Sequence, residues 1–116
     1  KLVKKIKKKK IEIHARSIFL KGLLLKDSNK VDIKFNKWKK KIIFFEKWII
    51  KNNLSKLEAN IRFLKNFKEV DKIVVGINDA FELREIYSFF KKKSLKIPEY
   101  LNIKAGIILN PKEWKI

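Results

Sequence analysis

Residues 11 to 17 alternate strictly, with Ile11, Ile13 and Ala15 on one side and Glu12, His14 and Arg16 on the other. Side chains along a strand repeat every two residues, so this segment is predicted to be a strand with two different surroundings. Before it, Leu2, Val3 and Ile6 lead into Lys7–Lys10, which fits a helix end whose cations complement its dipole. After it, Ile18–Leu25 with Gly22 reads as a loop leaving the strand end, and residues 26 to 36 are polar enough to lie at the surface.

The period then changes from two to about 3.6. Trp38, Ile42, Phe45 and Ile49 recur at helical spacing and predict a helix from Asn36 to about Lys51. Phe44, Trp48 and Ile50 widen its apolar face, so it should have more than one neighbour. Ser55-Lys56-Leu57-Glu58 has the capping-box pattern, opening a helix to about Phe67 that buries Leu57, Ile61 and Leu64. Lys72-Ile73-Val74-Val75-Gly76 is β-branched and apolar on consecutive positions, as a parallel strand covered on both sides would be. Asp79 with Glu82 starts a further helix whose buried stripe is Ala80, Leu83, Ile86, Tyr87 and Phe90, closed by Lys91–Lys93. Residues 94 to 116, with Pro98, Pro111 and a short apolar run at Ile107–Leu109, are expected to form an irregular C-terminal extension.

Strands alternating with helices predict an α/β fold with a parallel sheet, and residues 1 to 116 read as one segment without repeats. Two strands leave pairing edges open, so their partners are expected from residues upstream or from another chain. The absence of methionine suggests a processed or truncated chain.

Composition changes this picture only modestly. A hydrophobic share of 46% is enough for a core, which argues against disorder throughout. The apolar runs Leu23–Leu25 and Ile42–Phe45 fall far short of the roughly 18 residues a spanning helix needs. The absence of cysteine rules out disulfides and leans towards a reducing, cytoplasmic setting. The net charge of +19 by itself suggests a polyanionic partner, nucleic acid or an anionic membrane. However, of 31 basic residues only Arg16, Arg62 and Arg84 are arginine, the residue suited to bidentate phosphate and guanine contacts. The richness in Lys, Ile and Asn points instead to AT-rich coding.

The chemistry on offer is sparse. His14 is the sole histidine and lies within the predicted strand, where it belongs to a polar layer rather than to catalysis. One histidine without cysteine does not build a nitrogen–sulfur metal site, and neither a Ser-His-Asp arrangement nor a Walker loop is present. Gly22, just past a strand, permits positive φ or a close ligand approach, and neighbouring N–H groups there can cradle phosphate oxygens. Gly22 and Gly76 also fit plain turns, and Ser55 and Asp79 fit helix caps.

The segment HARSIFLKGLLL, His14 to Leu25, resembles the end of the seventh barrel strand and following loop of aldo/keto reductases. The similarity is greatest to a branch associated with surface-polysaccharide clusters. Ile73–Asn78 followed by Glu82–Ile86 is similar to the eighth strand and the helix gripping the adenosine end of the cofactor, and Asn110–Trp114 to a Pro-x-x-Trp ending. The resemblance implies the C-terminal fragment of a (β/α)8 TIM barrel: its last two strands, their helices and a C-terminal extension. A complete barrel takes about 250 residues.

For the site, the resemblance implies that Ser17, Leu20 and Gly22 hold the pyrophosphate of NADP or NAD. Lys21 stands in place of the usual glutamine, and Arg16 where many relatives have an aromatic that stacks on the nicotinamide. Gly76 and Asn78 match the turn at the adenosine ribose, and Glu85 an acidic residue near the adenine. Glu82 occupies a position where NADP-preferring relatives carry arginine or glutamine, and Ile86 replaces an asparagine, so cofactor preference stays open.

The implied activity of the intact protein is hydride transfer between the cofactor and a carbonyl substrate such as a sugar derivative. The family's catalytic Asp, Tyr, Lys and His come from earlier strands, so this segment supplies no catalytic residue and needs the rest of the barrel as partner. The rival reading is a small lysine-rich nucleic-acid-binding module, with Lys4, Lys5 and Lys7–Lys10 on phosphates and Trp38 and Trp48 as stacking platforms.

Overall fold

A computed structural model of the chain describes residues 2–102. The element order is α1 (Leu2–Lys8), β1 (His14–Ala15), α2 (Asn36–Lys51), α3 (Lys56–Leu64), β2 (Lys72–Ile73) and α4 (Ala80–Lys91), with short 3-10 turns between β1 and α2 and after α4. The apolar run Ile107–Leu109, the Asn110–Trp114 motif and most of the predicted extension lie outside the described residues.

The helices follow their local signals. Helix α2 has the expected bounds and buries Ile42 and Ile49. It ends in a left-handed cap, with Asn53 at φ 52°. Leu54 N–H reaches back to the Ile49 carbonyl at 3.0 Å and Asn53 N–H to that of Ile50 at 3.1 Å. This is a Schellman closure with asparagine where glycine is commoner. Helix α3 starts on Ser55, whose hydroxyl accepts from Glu58 N–H at 3.0 Å, but it stops at Leu64 rather than near Phe67. Only the serine half of the expected capping box forms. The Glu58 carboxylate turns instead to Arg62 and Lys92, each at 2.9 Å, where it ties α3 to the end of α4.

The strands are much shorter than predicted. β1 and β2 pair in parallel, His14 opposite Lys72 and Ala15 opposite Ile73. Asp71 N–H and Lys72 N–H share the Ile13 carbonyl at 2.9 and 3.2 Å, and Val74 N–H reaches that of Ala15 at 2.8 Å. A ladder needs partners, and each strand has one neighbour among the described residues, so pairing ends within a few residues. The expected alternation holds only from Ile13 onward, with Ile13 and Ala15 half-buried and His14 and Arg16 exposed, whereas Ile11, expected on the covered side, is exposed because it lies ahead of the paired strand. The expected double cover of the second strand does not: Ile73 and Val75 are half-buried, while Val74 and Ile77 are exposed. The Asp71 carboxylate fixes the strand entry, accepting from Ile13 N–H at 2.7 Å and pairing with Lys7 of α1 at 2.6 Å.

The core sits beside the sheet, around α2, α3 and the connection from β1. Leu23 and Phe35 are buried together, with Leu20, Val31 and Trp38 packed on them. Phe35 lies in a stretch predicted to be surface; three consecutive 3-10 turns, Leu23–Leu25, Ser28–Lys30 and Ile33–Phe35, fold its apolar members inward. Glu46 pins this connection to α2, accepting from Ser28 N–H and Lys56 Nζ at 2.6 Å each. In α3, Ala59 and Ile61 are sealed from solvent. Helix α4 packs on α3, yet its predicted buried stripe stays largely open: Leu83, Tyr87 and Phe90 are exposed and Ile86 is half-buried.

Candidate functional site

Parallel pairing sends both strands out of the same end of the sheet, so the segments after Ala15 and Ile73 leave side by side. Arg16, Ser17, Leu20, Lys21 and Gly22 lie on the first segment, and Gly76 and Asn78 on the second. Glu82 and Glu85 follow in the first two turns of α4. The C-terminal edge of a parallel sheet is where α/β folds gather ligands, because loops from adjacent strands face one another there.

The first segment has unusual backbone. Ser17, Leu20 and Lys21 have φ of 56°, 47° and 52°, and Gly22 has φ 82°. Each non-glycine residue in this left-handed region costs about 1–2 kcal/mol relative to ordinary backbone. The turn is held by Leu20 N–H to the Ser17 carbonyl at 2.9 Å, Leu23 N–H to that of Leu20 at 3.1 Å and Leu25 N–H to that of Gly22 at 3.0 Å. Among the described residues, the N–H groups of Lys21 and Gly22 donate to nothing. Consecutive unengaged N–H groups in a left-handed turn form the kind of concavity that holds an anionic oxygen, and the exposed Lys21 side chain adds a cation beside it. A β-carbon on Gly22 would meet no atom within 4 Å, so glycine is demanded by backbone conformation and not by crowding.

The second segment is built differently. Gly76 has no left-handed φ, and a β-carbon there would also meet open space. Beyond it the N-terminus of α4 is occupied by its own side chains. Asp79 accepts from Glu82 N–H at 2.8 Å, and Glu82 accepts from Asn78 N–H at 2.7 Å and from the Asn78 side chain at 3.2 Å. A phosphate arriving here would meet two carboxylates rather than free N–H groups. A hydroxyl donor would meet acceptors with lone pairs to spare. Glu85 is half-buried on the same side of α4 as Glu82.

His14 is exposed, and its Nε2 pairs with Glu12 Oε1. That bond and the Lys72 ammonium at 3.1 Å hold the Glu12 carboxyl below the usual carboxylate range. The grouping lies alongside the strand, short of its C-terminal end. The tryptophans make apolar contacts: Trp48 stacks on Phe45 at 6.4 Å between centroids and Trp38 leans on Phe35 at the same distance. Sequence reasoning missed Asp71. Nothing local marks Asp71, whose partners are 58 and 64 residues away.

The residues present suit the dinucleotide unevenly. Lys21 and Gly22 offer donors for a pyrophosphate, while Asn78, Glu82 and Glu85 offer acceptors for ribose hydroxyls and the adenine amine. Among the described residues no helix is long and apolar enough to cross a membrane. Comparisons with protein families, characterised proteins and solved structures find no match to this chain.

Proposed function

We propose that this chain is part of an NAD(P)-linked oxidoreductase, the C-terminal portion of an aldo/keto-reductase-like (β/α)8 barrel, and that its two strand exits hold the dinucleotide. The carrying observation is the left-handed turn Leu20–Gly22, with unengaged N–H groups, at the C-terminal end of a strand paired in parallel with the strand leading to Gly76. A nicotinamide cofactor bound there would supply hydride to a carbonyl or accept it from an alcohol, a sugar derivative being the substrate class the resemblance suggests. This chain's residues bind and orient. Lys21, Gly22 and Ser17 hold the pyrophosphate, Arg16 lies beneath the ring, and Asn78, Glu82 and Glu85 grip the adenosine. Proton transfer to the substrate oxygen belongs to residues elsewhere in the barrel, in keeping with strand edges that have no further partner among the described residues and with the exposed Val74 and Ile77. On this reading the protein is cytoplasmic, where the cofactor pool lies.

The test is a titration of the full-length protein with NADH and with NADPH, read by energy transfer from tryptophan to the dihydronicotinamide. Saturation that survives physiological salt supports the reading. Failure to saturate overturns it, and a signal abolished by salt and competed by polynucleotide overturns it in favour of the lysine-rich nucleic-acid module.

A further inference from the structure

A cavity of about 240 Å³ opens among the β1–α2 connection, α2, α3 and the segment after α4, and its walls are mostly apolar: Leu20, Leu24, Ile42, Phe45 and Phe63. It shares only Leu20 with the dinucleotide site proposed above, and it rests on none of that reading.

One polar side chain in its wall is out of character. Asn60, on α3, is only 7% exposed. Its amide nitrogen donates to the Lys56 carbonyl at 2.8 Å, which fixes the orientation of the amide because a carbonyl partner requires the N–H side. Asn60 lines the cavity, and its oxygen is the side-chain acceptor there with no partner among the described residues. An apolar residue would serve the packing of α3 better than a half-satisfied amide. Lys41 guards the mouth, but its ammonium is already committed to the carbonyls of Tyr100 and Asn102 at 2.8 and 2.5 Å. Those bonds hold the residue 99–102 segment against α2 as one wall.

We infer that this cavity is a binding site for a small neutral ring compound carrying one O–H or N–H group, the ring lying on Phe45 and Phe63 and the donor on Asn60 Oδ1. Apolar walls supply affinity without direction, whereas the lone acceptor selects ligands with a donor over isosteres without one. A carboxylate would meet the Asn60 oxygen unfavourably, and a cation would lose its water to hydrocarbon.

The experiment titrates the full chain with phenol and with toluene, followed by amide chemical shifts. Phenol is expected to bind about tenfold more tightly than toluene, the yield of one added hydrogen bond, with shifts at residues 20–24 and 60–63. Asn60→Leu keeps the side-chain size, and in it the preference should vanish while toluene still binds. Leu24→Phe should fill the space and weaken both probes, which keeps the test decisive if Asn60→Leu fails to fold. Equal affinities in the parent chain, a preference that persists in Asn60→Leu, shifts confined to the surface, or no binding of either probe would overturn the proposal.

Discussion

Replacing Glu58 with glutamine tests the junction on which the α3–α4 packing depends. The carboxylate side chain is about one-tenth exposed and accepts from Arg62 and Lys92 at 2.9 Å each. Removing one member of a fully buried pair costs about 3–5 kcal/mol, and an exposed pair is worth about 0–1. Lys92 is half in solvent and can rehydrate, and Arg62 keeps a second bond, Nε to the Lys93 carbonyl at 2.9 Å. Glutamine also retains one acceptor oxygen. The expected loss is therefore about 1–2 kcal/mol at neutral pH, read by urea unfolding with tryptophan fluorescence.

The pH dependence gives the sign. Burial raises the Glu58 pKa, but Lys92 and Arg62 together outweigh it and hold the folded carboxyl below its ordinary value. A depressed folded pKa stabilises above the unfolded value and loses that contribution as pH falls through the folded one. The gap between parent and Glu58→Gln should be full at pH 7 and close as acid protonates Glu58. A variant as stable as the parent at pH 7, or a gap that widens in acid, would refute the reasoning.

Three further outcomes are expected. Ser55→Ala and Asp79→Ala each remove a helix cap whose oxygen accepts a backbone N–H, and each should cost about 1 kcal/mol in urea unfolding. Gly22→Ala puts a β-carbon on a residue at φ 82°, which should destabilise the turn by about 1 kcal/mol and weaken NADH binding in the fluorescence titration. Glu82→Arg removes the carboxylate held by Asn78 and should shift the ratio of NADPH to NADH affinity at least tenfold towards NADPH. An unchanged ratio would detach Glu82 from the ribose.

Legibility in the sequence followed the range of the forces involved. The bounds of α2 and the caps at Ser55 and Asp79 were readable because helix periodicity and N-capping act within a few residues. The single pairing of two parallel strands was readable from their alternation with helices, but their length was not. A strand extends only as far as a neighbour pairs with it, and the neighbour is not encoded in the strand itself. The same reason leaves Leu83, Tyr87 and Phe90 open although their spacing marks a buried stripe. Phe35 was hidden among polar residues whose 3-10 turns carry it inward. Glu58 shows both cases: its link to Arg62 has the four-residue spacing of a helix face, whereas its link to Lys92 spans 34 residues and has no local signature. At the candidate site, Gly22 announced a special turn, but the positive φ of Ser17, Leu20 and Lys21 has no local signature, because these residue types ordinarily avoid that region.

Amide-resolved titration of the full-length protein with NAD⁺ goes straight to the claim that two neighbouring strand exits share one dinucleotide. The account predicts saturable shifts that appear together at residues 17–22 and 76–82, with a common dissociation constant. Shifts at one segment without the other, or spread over the lysine-rich surfaces of α1 and α2, would contradict it.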